Sequence, residues 1–444
     1  MELNSTLKSQ RFYFLDWLRV IAFSILLLEH CAEVFTSWNF AIKNVETSYF
    51  LDVLVMFFKP WRMPLLFMVS GAAVFLSFKS RTFSAIIKER SIRLLVPLAF
   101  AMLIIIPPQI YYIRLGDGFV ENFLDFYSNV FQFQWFPKGN FHWLHLWYLA
   151  FIFAFTLAIL PVLHIFKFEN WKKQLDSVSK ILSKPLVLLS LGVVLTMPYY
   201  LVKMFILNQN ASQLALFFPF FIFGALFLLN KNILESVKRY SNTAFLLGVF
   251  TSVGLYISLS QNFDTSPFNI LRSSRQSIAL FLLQTYNLWF WLIAFFGLGM
   301  RYLNYGSKAL SYATQAVYPF YILHQTVIVV LAYYLVQWEA SVGFKLFLLT
   351  ADSFILLLFF YEFVIRRYAL TRLLFGLKLT SSQKGLSPVM NLPKGVVNNP
   401  LPTQLPLMDG SILTFVQDNS LNESSENPGN GLDLAHPSSV QLNN

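Results

Sequence analysis

Residues 11–33 read Arg11-Phe-Tyr-Phe-Leu-Asp16-Trp-Leu-Arg19-Val-Ile-Ala-Phe-Ser-Ile-Leu-Leu-Leu-Glu29-His30-Cys31-Ala-Glu33. The stretch is long and apolar enough to cross a bilayer, which takes about 20 mainly apolar residues in a helix. It nonetheless carries ionisable groups at its start, its middle and its end. Asp16 and Arg19 interrupt the apolar run and no small-residue cleavage site follows, so we expect a retained helix rather than a cleaved signal.

Outward from this segment the pattern repeats. Further apolar stretches fall at 62–79, 94–112, 147–166, 185–203, 213–230, 244–260, 278–300, 317–337 and 345–366, and the first span is taken as 15–36. A shorter run at 49–58 is expected to be re-entrant or interfacial. Composition agrees: 56% of the 444 residues are hydrophobic and 12% charged, whereas a soluble fold carries roughly twice that charge. The net charge of +11 does not point to nucleic acid, because the Lys and Arg residues sit in short loops between apolar runs rather than on one face of a polar domain.

With a cytoplasmic N-terminus, 21 Lys and Arg residues fall in the inner segments and nine in the outer loops. That bias sets orientation in short-looped membrane proteins. The expected fold is therefore all-α: a polytopic membrane helix bundle of about ten transmembrane helices, both termini cytoplasmic, multi-pass in the cell (inner or plasma) membrane. Residues 1–379 form the membrane domain. Residues 380–444, rich in Asn, Ser, Pro and Leu, read as a disordered cytoplasmic tail. A single cysteine, Cys31, excludes an internal disulfide and a Cys-based metal site.

In a helix turning about 100° per residue, the eleven steps from Arg19 to His30 return almost to the same face, about 16 Å further along the axis. Asp16 lies three residues before Arg19 and Glu33 three after His30, so both carboxylates join the stripe, while Glu29 points elsewhere. A bland reading exists: an interfacial Asp16–Arg19 ion pair and a quietly packed His30. Ionisable groups at this depth cost several kcal/mol outside a wet or protein-buried cavity, and four on one stripe favour a functional role.

The string from Tyr13 to His30 resembles the signature of the bacterial acyltransferase 3 family of membrane proteins. Four further segments are similar to family motifs, in the right order: Trp61-Arg62-Met-Pro-Leu-Leu-Phe-Met-Val-Ser-Gly71, Arg90-Ser-Ile-Arg93-Leu-Leu-Val-Pro97, Gly139-Asn-Phe-His-Trp-Leu-His145-Leu-Trp-Tyr-Leu149 and Tyr318-Pro-Phe-Tyr-Ile-Leu-His324-Gln325. Pro107-Pro-Gln and the Asn-Phe-His-Trp segment most resemble the glucan-biosynthesis succinyltransferase branch. The resemblance covers residues 11–366. It implies about ten spans and transfer of an acyl group, acetyl or succinyl, from cytoplasmic acyl-CoA to a hydroxyl of an extracytoplasmic carbohydrate. Acyl-CoA is then a co-substrate and carbohydrate the acceptor, with the bilayer as surroundings, no permanently bound cofactor and no metal. Glu29 is not part of the expected pattern.

Under this resemblance His30 is the candidate general base, oriented by Glu33, with Arg19 and Asp16 on the same stripe. Arg90 and Arg93 share one face at the inner end of the third span. Guanidinium forks suit phosphate oxygens, and the resemblance implies that the pair holds the CoA phosphates; ordinary positive-inside anchoring is the alternative. His145 is expected at the outer mouth, where Trp135, Trp143, Trp147 and Tyr148 offer stacking surfaces. His324 is expected about two turns into the ninth span, beside the acyl channel. Arg62 or Arg272 could meet a donor carboxylate. Asp352 is an intramembrane group without a motif, and Cys31 reads as inert packing. A transporter or flippase would also bury Arg, His and Asp, yet it predicts Gly- or Pro-broken helices at matching positions of two halves. Here the breaks at Pro64, Ser70-Gly71 and Pro319 do not repeat.

Overall fold

The computed structural model describes residues 11–165, 169–206, 209–228, 230–260 and 275–378, together with two tail segments, 404–406 and 412–414. Eleven long helices follow one another: α1 (Tyr13–Glu33), α2 (Tyr49–Ser80), α3 (Phe83–Gly116), α4 (Leu144–Ile165), α5 (Glu169–Leu182), α6 (Pro185–Phe205), α7 (Gln209–Phe227), α8 (Lys231–Ser260), α9 (Arg275–Tyr302), α10 (Lys308–Leu335) and α11 (Val342–Ile365). Among the described residues, nine helices are long and apolar enough to cross a membrane: α2 to α4 and α6 to α11. The 21-residue α1 makes a tenth by length, set apart from the others by its charged residues Asp16, Arg19, Glu29 and Glu33. The chain is thus a polytopic membrane helix bundle. The tail expected to be disordered lies outside the described residues, apart from a short antiparallel strand pair, Gln404–Pro406 with Ile412–Thr414.

Several boundaries differ from expectation, and proline and glycine chemistry explains the differences. The run at 49–58 is not re-entrant. It is the first third of α2, a 32-residue helix that continues through Pro60 and Pro64. Prolines inside membrane helices are tolerated where neighbours and local rewinding satisfy the freed carbonyls. In α3 the rewinding is visible as two π-helical turns, Ser91–Leu95 and Ala101–Ile105, just before Pro97 and Pro107-Pro108. Pro97 cannot donate to the carbonyl of Arg93, and the Tyr318 hydroxyl of α10 donates to it instead, at 2.8 Å. Pro107 frees the carbonyl of Leu103, which accepts from the Tyr127 hydroxyl at 3.0 Å. The missing hydrogen bonds thus become ties between elements.

α2 and α7 cross at two glycines. A Cβ on Gly71 would stand 2.0 Å from the carbonyl oxygen of Phe221, and one on Gly224 equally close to that of Met68. Backbone approaches backbone here, which only glycine allows. The buried core runs through this crossing (Leu65, Phe67, Met68, Phe220, Phe221) and on to Trp289 and Phe296 of α9.

The face from which α1 starts is called proximal here and the opposite one distal. α10 begins at Lys308, nine residues before the expected span, with Ser307 capping its first turn through Leu310 N at 3.0 Å. α11 ends beside the start of α10, where the Tyr312 hydroxyl donates to Glu362, and the short helix Ala369–Leu374 then leads the chain back against α3, where Phe375 meets Phe100 at a ring separation of 5.5 Å.

Candidate active site

Two clusters of ionisable groups lie along α1, one on each side of the bundle's middle. Arg19 is six residues past Tyr13, or about 9 Å along the axis, and Arg90 is seven past Phe83, or about 10 Å. The two arginines meet at the same proximal level, where Arg90 lies in the field of Glu89, Arg93, Arg19 and Arg81. Arg19, Arg90 and Arg93 are all buried, at 6%, 5% and 8% exposure. Asp16, fully buried, contacts Arg11 at 3.2 Å and Arg19 at 3.7 Å. Glu89 contacts Arg93 at 3.3 Å and pairs with Arg81. Among the described residues, five guanidinium groups (Arg11, Arg19, Arg81, Arg90, Arg93) thus face two carboxylates. A buried cationic excess of this kind suits a polyanionic ligand.

The distal cluster is built from histidines. His30 is seventeen residues into α1 and His324 sixteen into α10, about 25 and 24 Å from the starts of their helices. Equal depth on adjacent helices lets the two rings stack, with centroids 5.2 Å apart. His145, in the first turn of α4, meets His324 edge-on at 5.0 Å. Glu33 Oε2 lies 3.4 Å from His30 Nδ1, and its other oxygen 3.3 Å from Lys59 Nζ. His324 Nδ1 contacts the carbonyl of Tyr321 at 2.7 Å, and His145 Nε2 the carbonyl of Ile322 at 3.2 Å. A carbonyl only accepts, so each of these nitrogens carries its hydrogen.

Aromatic side chains fill the interval between the clusters. Tyr148 lies in the fields of Arg19 and Arg90. It shares a hydrogen bond with Ser70 at 2.8 Å, and its ring packs 5.7 Å from that of Tyr321. Tyr321 stacks on His324 at 5.7 Å and donates its hydroxyl to the carbonyl of His145 at 2.5 Å. Phe23 of α1 touches both tyrosines. Ring contacts therefore run without a break from Tyr148 through Tyr321 and His324 to His30.

Some expectations change. His324 is not two turns from its end of the span but deep in the bundle, because α10 starts at Lys308. Tyr148 and Trp147 are not surfaces of the outer mouth. Tyr148 is buried between the clusters, and Trp147 packs among Phe67, Phe151 and Phe217. Trp135 and Trp143 remain in the distal loop, against each other and His142. There burial holds the imidazole of His142 below its ordinary range, and its Nδ1 accepts from Leu144 N at 2.7 Å. Arg62 lies well inside α2, which begins at Tyr49, and it forms an ion pair with Glu29, both side chains almost fully buried. Cys31 is buried in a separate apolar cluster with Phe35 and Val55. Asp352 is half-buried on α11, and Arg272 lies outside the described residues. Among the described residues, no three His, Cys, Asp or Glu side chains converge as a metal-ligand set.

Sequence reasoning put Tyr148 at the mouth, and it missed the place of Tyr321 and the pairing of Glu29 with Arg62. For Glu29 a signal was present, a carboxylate one residue before His30 and therefore on the neighbouring flank of α1. Its partner Arg62 was expected to meet a carboxylate of the donor, and the carboxylate it meets is that of Glu29.

A family model described as an acyltransferase domain (acyltransferase 3) matches residues 12–364. The chain belongs to this acyltransferase family. It is accordingly an O-acyl-transfer enzyme and a multi-pass membrane protein. Similar proteins include glucans biosynthesis protein C of Escherichia coli K12 and that of Escherichia coli O1:K1. Each is 23% identical over 332 residues, covering 71% of this chain and 82% of the relative. No solved structure matches. The match of the acyltransferase model begins at α1 and ends in α11, and so takes in both clusters.

Proposed function

We propose that this acyltransferase moves an acyl group from cytoplasmic acyl-CoA to a hydroxyl of an extracytoplasmic carbohydrate, and that it resides in the cell (inner) membrane. The observation that carries this reading is the placement of two chemically distinct clusters at two levels of one helix, Arg19 with Arg90 and Arg93 below, His30 with Glu33, His145 and His324 above. The surplus of Lys and Arg in the segments on the proximal side supports a cytoplasmic assignment of that face. The similarity to proteins named for glucan biosynthesis supports a glycan acceptor.

In this scheme Arg90 and Arg93, with Arg19 beside them, hold the phosphates of the donor. The thioester reaches up the aromatic path toward His30. The acceptor hydroxyl comes from the distal side and gives its proton to His30 as its oxygen attacks the thioester carbonyl carbon. The carbon–sulfur bond then breaks, and the CoA thiolate takes the proton from the imidazolium. An imidazole suits this exchange because it titrates near neutral pH, and Glu33 orients the ring. The Glu29–Arg62 pair leaves no net charge beside the reacting carbon.

The test is acyl transfer from labelled acyl-CoA by His30→Ala and Arg19→Ala, each purified at normal membrane levels. Loss of the base should lower kcat by about 10²- to 10⁴-fold. Full activity in both variants would sink the scheme, and movement of a glycan across vesicles without acylation would favour a transporter.

A further inference from the structure

His324 and His145 each have one ring nitrogen committed as a donor, Nδ1 of His324 to the carbonyl of Tyr321 and Nε2 of His145 to that of Ile322. In a neutral imidazole the remaining nitrogen is an acceptor. Those remaining atoms, His324 Nε2 and His145 Nδ1, are buried and meet no hydrogen-bond donor among the described residues. His324 is itself 2% exposed. A buried polar group without a partner is costly, and one kept in a native structure calls for an explanation such as a catalytic or binding role. Two such acceptors stand in consecutive ring contact with His30, at 5.2 and 5.0 Å.

We infer that His324 Nε2 and His145 Nδ1 form an acceptor-binding subsite that takes hydroxyl hydrogens of a sugar adjacent to the hydroxyl reacting at His30. This inference rests on the acyl-transfer reading above for the role of His30, but not for the binding itself. Two fixed lone pairs beside a base require a molecule with several O–H donors on neighbouring carbons. A hexopyranoside provides them; a simple alcohol or an amine with one reacting group does not. The selectivity is built into the backbone. The carbonyls of Tyr321 and Ile322 set which nitrogen donates, so the opposite nitrogen is the one left to accept. A site of this kind rejects an analogue lacking the hydroxyl, because its own polar atom is then left without a partner.

The test uses the full-length protein in lipid nanodiscs, without donor. Methyl β-glucoside and the complete set of its monodeoxy analogues are titrated by saturation-transfer NMR. Two ring positions should each weaken binding by about three- to tenfold when the hydroxyl is absent. In His324→Phe the penalty at one of these positions should vanish, and in His145→Phe the penalty at the other. A flat deoxy series in the wild-type protein, an absence of glucoside binding, or penalties unchanged in both variants would each overturn the inference. If a variant fails to fold, the wild-type series alone still decides. Acyl transfer with a flat series would remove the subsite and keep the enzyme reading, while a structured series without acyl transfer would do the reverse.

Discussion

Glu29 of α1 and Arg62 of α2 form an ion pair with side-chain exposures of 0% and 7%, one residue along the chain from His30. An exposed pair would contribute little to stability; a pair this deep behaves differently, because each desolvated charge is balanced by the other. Truncating one partner strands the other, at about 3–5 kcal/mol, whereas replacing both by apolar residues of similar size is often near neutral. Arg62→Met and Glu29→Leu should therefore each lower the thermal unfolding midpoint in detergent sharply, and the double variant should recover most of the loss. Two single-variant losses that simply add would mean that the residues do not act as a pair.

The proximal arginines give a prediction about the donor. Arg90→Ala or Arg93→Ala should raise KM for acyl-CoA tenfold or more, the loss expected for charge-assisted hydrogen bonds worth about 1.5–3 kcal/mol. Lys88→Ala, a charge change of equal size at an exposed position of the same helix, should leave KM within about twofold. Equal effects from Arg93 and Lys88 would reduce the arginines to membrane anchoring.

The Gly71 crossing predicts a steric outcome. Gly71→Ala should destabilise the bundle by at least the ~1–3 kcal/mol of ordinary overpacking, since the new methyl meets the Phe221 carbonyl rather than a side chain free to move. Thermal unfolding checks this, and an unchanged midpoint would show that α2 and α7 separate at little cost.

Pro97 and Tyr318 form a double-mutant cycle. Tyr318→Phe should cost about 1 kcal/mol by removing the hydrogen bond to the Arg93 carbonyl. In a Pro97→Ala background the restored backbone N–H can serve that carbonyl, so the same change should cost less. Equal losses in both backgrounds would mean that the tie between α3 and α10 does not depend on the proline.

The spans were legible because the bilayer demands length and low charge, and those are properties of single segments. The stripe of Asp16, Arg19, His30 and Glu33 was legible for the same reason, since it lies within one helix. What could not be read was every relation between helices. Nothing local says that His324 stands at the depth of His30. That follows from where α10 starts, at Lys308 after the Ser307 cap. Arg62 stood at the start of the expected span 62–79, whereas α2 begins at Tyr49 and runs through Pro60 and Pro64 to reach it. Tyr148 was read as interfacial because aromatic residues belt both membrane surfaces, and only the packing of α4 against α2 and α10 turns it inward.

The interval between Arg19 and His30 acts as a ruler. An insertion of one residue would swing His30 by about 100° away from His324 and advance it about 1.5 Å, while leaving the apolar character of the segment untouched. Drift in this protein can therefore exchange one aliphatic side chain for another between those two positions far more freely than it can change their count.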